Sequence, residues 1–553
     1  MPVHILARLP VLVIAGMTLA AAMVIPAAHA AATGAPAIAA AFAQSAAGLL
    51  VLGVMIALAT GAAGGAAPRP VPAAPPTRGV LAMLIGVYAG LPLLAAVPFA
   101  AVMQDTGLFN AWWEMLSCIT TTGASLYDAG RLPASLHLWR ATVGWMGGLF
   151  ILVAAIAVMA PMRVGGFELM DRSAGADERF GRIEGTARSG QAAGGDHALH
   201  GGSGALRLIR WGQATAPLYA GLTGALWLLL MIAGKPSLDA LVTAMGTLST
   251  SGITMTGSPV GAVGGTGAEA LVALFLLPAL TRRSWPGGAE LAASARLRDD
   301  PELRMSAGLV LLVTLVLFAR PFAGAFSGTA QPVSTPAPVA DTLTGGLARA
   351  AAAAWGSAFT ALSFLTTTGW TSIDWDGARA WAGLSAPGLM LAGLAIMGGG
   401  IATTAGGVKL LRVFALGLHA RRELEKIVHP ASIGGGGPIT RRLRGSGAYL
   451  AFVFFMVFAM SIAAVIALVS LRPVAFETAT MLSVAALTNT GQLAEAIPLI
   501  PAFQGSAGIA GAPWAGWAGL SASGKAVLAA AMVAGRLETL AILALLSPGA
   551  WRR

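Results

Sequence analysis

The sequence is poor in charged residues and has almost no cysteine. Only 10% of its 553 residues are Asp, Glu, Lys or Arg, whereas a soluble globular chain carries about 25%. The single cysteine, Cys118, excludes an intramolecular disulfide and a metal site built from cysteines alone. Since 56% of the residues are hydrophobic, the composition excludes both an ordinary cytoplasmic enzyme and a disordered chain.

The sequence also lacks the motifs of common enzyme classes. Its seven histidines are scattered and form neither an H-x-x-x-H nor an H-E-x-x-H pair. No Rossmann fingerprint and no Walker motif occurs, and no set of His, Asp and Cys residues is clustered. We therefore predict that the protein is not an enzyme and that this chain holds no cofactor. Any control by a nucleotide would have to come from another chain.

Long apolar runs are present from end to end, and about 20 such residues suffice for a membrane-spanning helix. The runs lie at about 8–27, 41–62, 79–102, 138–160, 213–233, 268–281, 306–324, 384–401, 448–471 and 524–547. The sequence thus predicts an integral membrane protein. The first run also fits a cleavable signal peptide, because Arg8 precedes it and Ala28-His29-Ala30-Ala31 follows. We favour a retained helix, since a second run follows after a short polar gap.

The basic residues are concentrated in a few segments and predict the orientation. Lys and Arg number 34 against 23 acidic residues, which gives a formal charge of +11. A cytoplasmic N-terminus places every basic segment inside, as the positive-inside rule requires, and this explains the excess better than a nucleic-acid partner does. These segments are 68–78, 161–212, 282–304 and 409–444.

That orientation requires four shorter apolar segments to be re-entrant hairpins instead of spans. They lie at about 107–122, 238–251, 352–368 and 475–490. All four end in an aliphatic residue, a hydroxyl residue, Thr or Asn, a second hydroxyl residue and glycine. We call these endings strings 1 to 4: Ile119-Thr120-Thr121-Thr122-Gly123, Leu248-Ser249-Thr250-Ser251-Gly252, Leu365-Thr366-Thr367-Thr368-Gly369 and Leu487-Thr488-Asn489-Thr490-Gly491.

The strings recur at nearly even spacing. Their glycines are separated by 129, 117 and 122 residues, and a small residue stands six places before each glycine. Each copy also occupies the same place between two apolar runs. This regularity indicates an internal repeat and argues against the alternative that the strings are ordinary surface turns.

The chemistry of the strings fits the dehydration of a cation. Glycine readily adopts positive φ, which lets successive carbonyl groups point the same way. Rings of carbonyl oxygens, helped by hydroxyls, can replace the water around a monovalent cation, and a short preceding helix directs its negative end at the same point. We predict a cation filter made of Thr121, Thr122, Gly123, Thr250, Ser251, Gly252, Thr367, Thr368, Gly369, Asn489, Thr490 and Gly491.

The four repeats resemble the superfamily of bacterial Trk and Ktr and plant HKT potassium transporters, and the two extra N-terminal spans favour its TrkH/TrkG branch. The resemblance covers essentially the whole chain, and the strings and the final Gly-Arg-Leu-Glu are its most specific parts. The other matching residues are Leu138-Trp139-Arg140 with Gly147-Gly148, Gly166-Phe167-Glu168-Leu169, Arg182-Ile183 with Thr186-Ala187, Asp300-Pro301-Glu302-Leu303-Arg304 and Gly535-Arg536-Leu537-Glu538.

The resemblance implies an all-α integral membrane fold with four helix–pore-loop–helix repeats around one pore and two extra N-terminal transmembrane helices. The implied bounds are 1–65 for the N-terminal helices, 77–165 for repeat 1, 166–212 for a cytoplasmic linker, 213–304 for repeat 2, 305–430 for repeat 3 and 445–553 for repeat 4. The resemblance also implies the bacterial inner membrane with its lipid, a homodimer, and a cytoplasmic TrkA-like nucleotide-binding ring as partner.

Potassium uptake is the function that the resemblance implies. In that family the filter glycines mark a preference for potassium over sodium, and all four are glycine here, which implies a potassium ion bound at the filter residues. Asn489, Gln492 and Trp370 depart from the family pattern and leave the fine selectivity open. An ion-coupled secondary transporter of another small solute is the alternative, but it would need paired or inverted repeats, and four parallel repeats favour a pore.

A glycine-rich segment, residues 398–407, interrupts the apolar run after string 3. No strand precedes it and no Gly-Lys-Ser/Thr closes it, so a phosphate loop is excluded. A broken helix that lines the pore fits better, and the resemblance implies an intramembrane gating loop at this place. Close packing of helices through glycine is the alternative. We assign Gly398, Gly399, Gly400, Gly406 and Gly407 to a gate.

The gate also includes Arg536, which lies within the last apolar run. An arginine at the bilayer centre costs roughly 2.5 kcal/mol or more, so its side chain should face the pore or a partner. The matching arginine of the family is thought to hinder cation passage. The alternative is a side chain that snorkels to a lipid headgroup, which we expect for Arg140 and Lys525.

Overall fold

A computed structural model describes residues 11–63, 77–160, 166–169, 204–286, 297–326, 343–383, 388–429, 446–496 and 516–538. Within these ranges the regular secondary structure is helical, and no strand occurs. Seven helices of this part of the chain are long and apolar enough to cross a membrane. They contain Val11–Ala32, Pro36–Ala59, Met83–Val102, Ala134–Met159, Arg207–Ile232, Pro301–Arg320 and Gly447–Ser470.

The N-terminal helices pack against the rest of the molecule. Helices α1 (Val11–Ala22) and α2 (Val24–Ala32) form one apolar rod with a single turn residue between them, and α3 (Pro36–Ala63) returns beside it. Phe42 of α3 meets the ring of Trp139 edge-on, with centroids 5.6 Å apart. Within the first apolar run, Leu19, Ala20 and Met23 are fully buried, so its described part is packed into this fold.

Repeats 1 and 2 each contain a long helix, a short helix and a second apolar helix. In repeat 1 these are α4 (Thr77–Val102), α5 (Gly107–Ile119) and α6 (Ala134–Ala154), and a π-helical turn, Ala155–Met159, extends α6. In repeat 2 they are α7 (Gly204–Ile232), α8 (Ser237–Leu248) and α9 (Gly265–Leu276). The short helices α5 and α8 end at strings 1 and 2.

Repeats 3 and 4 follow the same order with insertions. Repeat 3 contains α10 (Pro301–Phe326), α11 (Leu343–Leu365), α12 (Trp375–Ala382), α13 (Gly388–Met397) and α14 (Leu410–Val428). Repeat 4 contains α15 (Ser446–Ser470), α16 (Phe476–Thr488), α17 (Leu493–Ala496) and α18 (Ala522–Leu537). The predicted fold class, an all-α membrane protein with four such repeats and an N-terminal helical pair, is confirmed.

Several helix bounds differ from those that the sequence predicts. Helix α11 begins at Leu343 instead of near 352, and the high helix propensity of the alanine run 350–354 accounts for only part of this extension. Helix α7 begins at Gly204 instead of near 213, whereas α5 begins at Gly107, where the predicted segment 107–122 begins. Most of the predicted linker and the end of the last predicted span lie outside the described residues.

Burial separates an inner set of helices from an outer one. The span Ala134–Met159 in repeat 1 is 78% buried, whereas Pro301–Arg320 in repeat 3 and Gly447–Ser470 in repeat 4 are each 17% buried. The exposed faces of these outer helices carry large apolar residues such as Leu311, Leu315 and Met460. A face of this kind is stable against lipid rather than water, so the strings lie in the protein interior, surrounded by lipid-facing helices.

Candidate functional site

The four strings meet in a closed ring. The glycine of each string lies against the string that follows it in the sequence, or against the residue just after that string, and the glycine of string 4 lies against string 1. A Cβ added to any of these glycines would collide with its neighbour. The residues met in this way are Ser251 for Gly123, Thr368 for Gly252, Gln492 for Gly369 and Thr122 for Gly491. The amide of Gly491 also donates a hydrogen bond of 2.7 Å to the Thr122 carbonyl oxygen. The twelve residues predicted as a filter are thus brought together around one axis.

Each string ends its helix with the same hydrogen bonds. In string 1 the Thr122 amide donates to the Ser117 carbonyl and the Thr121 amide to the Cys118 carbonyl, both at 2.9 Å. This is the Schellman pattern, in which the residue after the helix is left-handed. The small residue six places before each glycine supplies the acceptor carbonyl in all four repeats: Ser117, Gly246, Ser363 and Ala485.

The backbone of the strings is left-handed at a residue that the sequence did not reveal. Positive φ is expected at the glycines, and it occurs at Gly123, Gly252 and Gly369, whereas Gly491 is not among the residues with positive φ. The residue two places earlier is also left-handed in every string, at φ 54°, 51°, 59° and 55° for Thr121, Thr250, Thr367 and Asn489. For a β-branched threonine this conformation costs on the order of 1–3 kcal/mol, so the surrounding ring has to hold it.

The hydroxyl groups of each string pair with one another. In string 1 the Oγ1 atoms of Thr120 and Thr122, the residues on either side of Thr121, lie 2.9 Å apart. The corresponding separation is 2.9 Å in string 2, 3.1 Å in string 3 and 3.2 Å in string 4. The alternation of hydroxyl residues in the sequence therefore serves a local hydrogen bond within each string.

A buried ion pair supports string 1 from behind. Glu114 of α5 contacts Arg140 of α6 at 2.7 Å, and the second carboxylate oxygen of Glu114 accepts the Leu126 amide at 2.8 Å. Both charged side chains are at most 4% exposed. The expectation that Arg140 snorkels is therefore wrong. Its partner Glu114 lies on the neighbouring helix α5, and the spacing of the two residues in the sequence does not show that they meet.

A second buried carboxylate, Glu269 of α9, supports string 3. It accepts hydrogen bonds from the Trp355 indole at 2.9 Å, the Ser372 hydroxyl at 2.7 Å and the Ile373 amide at 2.6 Å. These donors flank string 3 on both sides. Glu269 is fully buried, and sequence reasoning missed it, because an isolated glutamate in an apolar run was its only signal.

The glycine-rich segment 398–407 is non-helical and lies directly against the ring. It separates α13 from α14, and its Gly406 amide donates to the Thr367 hydroxyl at 2.7 Å. A Cβ on Gly406 would collide with the Thr488 carbonyl of string 4. At its other end, the Ile401 amide donates to the Glu302 carboxylate at 2.8 Å. The segment is thus held between string 3 and the start of α10.

Arg536 of α18 reaches the same segment. Its guanidinium donates to the Thr404 carbonyl at 2.7 Å, and the residue is 4% exposed, so the side chain is buried and does not snorkel. Glu538, two residues on, pairs with Arg412 of α14 at 2.7 Å. A cavity of about 30 Å³ lies between Arg536, Lys409 and the glycine-rich segment, with room for about two water molecules.

This arrangement defines the class of protein. It is a multi-pass membrane protein in which four helices end at one ring, with the glycine-rich segment 398–407 packed against it. No family model matches the chain. Its sequence is 28% identical to the Trk system potassium uptake protein TrkI of Halomonas elongata, over 85% of this chain and 82% of that protein. It is 25% identical to the Trk system potassium uptake protein TrkH of Salmonella typhimurium, over 83% of each.

The fold is similar to a solved structure as well. The crystal structure of the potassium transporter TrkH from Vibrio parahaemolyticus matches the whole chain with a TM-score of 0.71 at 20% identity, and it is itself covered completely. These similarities confirm the resemblance to the Trk superfamily. The chain is a multi-pass membrane protein whose homologues are transporters rather than enzymes.

Proposed function

We propose that this protein takes up potassium across the bacterial inner membrane through the ring of four strings. The closed ring is the observation that carries the proposal, because four helices end at it with the same capping hydrogen bonds and with a left-handed residue at the same place in each string. A helix C-terminus bears a partial negative charge, and four of them favour a cation at that point. The names of the homologues support potassium as that cation.

The composition of the ring supports a dehydrating filter for a monovalent ion. The strings supply backbone carbonyls and hydroxyls and no charged side chain, and such oxygens can replace water around potassium without a full negative charge. Glu114 and Glu269 stand behind the ring and hold its outer connections. Carboxylates that faced the axis would favour divalent ions instead.

The glycine-rich segment and Arg536 act together as the gate in this proposal. The segment lies against strings 3 and 4, where it narrows the path on the side of the ring opposite the glycines. Arg536 fixes Thr404 and places a positive charge beside that path. A positive charge raises the barrier for a cation in a narrow, poorly hydrated passage.

A test of the function uses a bacterium that lacks its own potassium uptake systems. The full chain should restore growth at low potassium and carry rubidium, a potassium analogue, much faster than sodium. Cells with the empty vector are the control. If the protein reaches the membrane and neither growth nor rubidium uptake is restored, potassium uptake is the wrong function.

The same cells separate a pore from the alternative, an ion-coupled carrier of another solute. A carrier of that kind predicts uptake of a second solute that depends on an ion gradient, whereas the proposal predicts rubidium uptake without any co-substrate. The homodimer and the TrkA-like cytoplasmic ring are further proposals that rest on the family resemblance, and purification of the full chain with its native partners tests both.

A further inference from the structure

Gln492, the residue after the glycine of string 4, extends its side chain across the other strings. Its amide nitrogen donates to the Gly123 carbonyl at 3.2 Å and to the Gly252 carbonyl at 2.9 Å. A Cβ on Gly369 would lie 2.8 Å from the Cβ of Gln492. One side chain therefore touches the glycines of all three other strings.

The position of this side chain is at the mouth of the ring. The glycine is the last residue of each string, and the glycine-rich segment contacts the opposite end, at Thr367 and Thr488. Gln492 thus lies on the side away from the gate. In the orientation that the basic segments predict, this side faces the outside of the cell.

The direction of the amide group follows from its partners. Both partners are carbonyl oxygens, which only accept hydrogen bonds, so the amide NH2 with its two donors has to face them. The reversed amide would place its oxygen against two other oxygens. The Gly252 carbonyl also accepts the Trp370 indole at 2.8 Å, so the Gly123 carbonyl is the one whose access to a cation the Gln492 amide controls.

The backbone of Gln492 is fixed while its side chain is only partly buried. The Gln492 carbonyl accepts the amides of Glu495 at 3.1 Å and Ala496 at 2.9 Å, which anchors the residue at the start of α17. The side chain itself makes the two hydrogen bonds to the ring and is partly buried. Rotation of the side chain alone could free the Gly123 carbonyl without any change in the helices, whereas the Gly252 carbonyl would keep its hydrogen bond from the Trp370 indole.

We infer that Gln492 is an outer latch that competes with the external cation for the carbonyl of Gly123. This inference rests on the proposed potassium uptake. A cation that binds to this carbonyl has to displace the amide, so the latch weakens the apparent affinity for external potassium. Since rotation of the side chain leaves the backbone of the ring in place, the discrimination between potassium and sodium stays unchanged.

The test measures initial rubidium uptake against external concentration for the full chain. Gln492→Ala should lower the half-saturating concentration about three- to tenfold, as the loss of one competing neutral hydrogen bond implies, with an unchanged ratio of rubidium to sodium uptake. Gln104, which is exposed just before α5, provides the matched control, and Gln104→Ala should behave like the wild type. Gln492→Met, which keeps the length but has no donor, should act in the same direction as Gln492→Ala.

Other outcomes overturn the inference. An unchanged or raised half-saturating concentration, or a loss of selectivity, would mean that Gln492 holds the ring together instead of competing with the cation. Failure of both variants to reach the membrane would also contradict the inference, because a latch is not needed for folding. If the wild-type chain shows no saturable rubidium uptake, the proposed function itself is wrong, and this result is distinct from all the others.

Discussion

Threonine is an unusual residue for the left-handed region, and three of the four strings place one there. The cost is offset locally, since the hydroxyl of Thr367 accepts the Gly406 amide and the neighbouring strings enclose each backbone. Strained residues of this kind persist where the surroundings over-determine them. In the ring, a small change in the backbone or a side chain of one string therefore displaces atoms of the neighbouring string.

Gly123→Ser is expected to reduce the preference for potassium over sodium. The added Cβ would collide with the Ser251 carbonyl, and the φ of +73° is unfavourable for serine, so the ring has to widen. Overpacking costs about 1–3 kcal/mol, and each 1.4 kcal/mol by which the widened ring changes one ion's barrier relative to the other's changes the selectivity ratio about tenfold. The ratio of rubidium to sodium uptake measures the effect. Gly130→Ser, at a glycine with open space around it, is the control, and equal ratios in both variants would refute the prediction.

Arg536→Ala is expected to raise ion flux per molecule. A unit charge about 4 Å from a cation contributes roughly 4 kcal/mol at an effective dielectric constant of about 20, and each 1.4 kcal/mol changes a rate about tenfold. Even a fraction of this barrier should be visible in uptake normalised to the amount of inserted protein. Arg421→Ala, at an arginine that is 78% exposed on α14, should leave the flux unchanged. Equal or lower flux in the Arg536 variant contradicts the gating role.

At the scale of elements, the glycine-rich segment depends on neighbours from three repeats. Leu280 of repeat 2 lies so close to Gly400 that a Cβ there would be 2.5 Å from its carbonyl oxygen. Glu302 of repeat 3 holds Ile401, and Arg536 of repeat 4 holds Thr404. Its glycines let these backbones approach closely. A few hydrogen bonds hold the segment in place, which suits the gate that we propose.

Glu302→Ala is expected to loosen the segment and to raise rubidium uptake. The Ile401 amide would lose its buried acceptor, and a hydrogen bond to a charged group contributes about 1.5–3 kcal/mol, so an increase on the order of tenfold is expected. Glu302→Gln keeps an acceptor oxygen and should stay near the wild-type rate. If the two variants show the same uptake per inserted molecule, the hydrogen bond to Ile401 does not control the segment.

For the whole molecule, the buried and exposed faces agree with a bundle that is surrounded by lipid. The inner helix α6 is largely buried, while α10 and α15 expose apolar side chains. Two buried ion pairs, Glu114 with Arg140 and Glu538 with Arg412, connect helices in the interior. Burial of such pairs is tolerated because each charge has its partner, and removal of one partner would leave an uncompensated charge.

The orientation of the whole chain can be tested with reporter fusions. Fusions after residues 190, 290 and 435 should all report the cytoplasm, because these positions lie in the basic segments. A fusion after residue 335 should report the outside. A periplasmic signal from any of the first three positions would contradict the four-repeat topology and the assignment of Gln492 to the outer mouth.

Much of this architecture was readable from the sequence alone. Hydropathy predicted the spans, and the even spacing of the four strings predicted the repeats, because a repeated unit has to recur in both composition and period. The four strings that meet in the ring were recognisable for the same reason, since their pattern is local and each string contains its own signal. The glycine-rich segment was recognisable because so many glycines cannot continue a helix in an apolar run.

The remaining features were decided only by the tertiary structure. Arg140 finds Glu114, Glu538 finds Arg412, and Glu269 supports string 3 across a distance of about a hundred residues in sequence. The reach of Gln492 to Gly123 and Gly252 likewise depends on the closure of the ring. A sequence records which residues can bond, but the partner of a buried polar group is fixed by packing between distant segments, where burial makes an unpaired group costly.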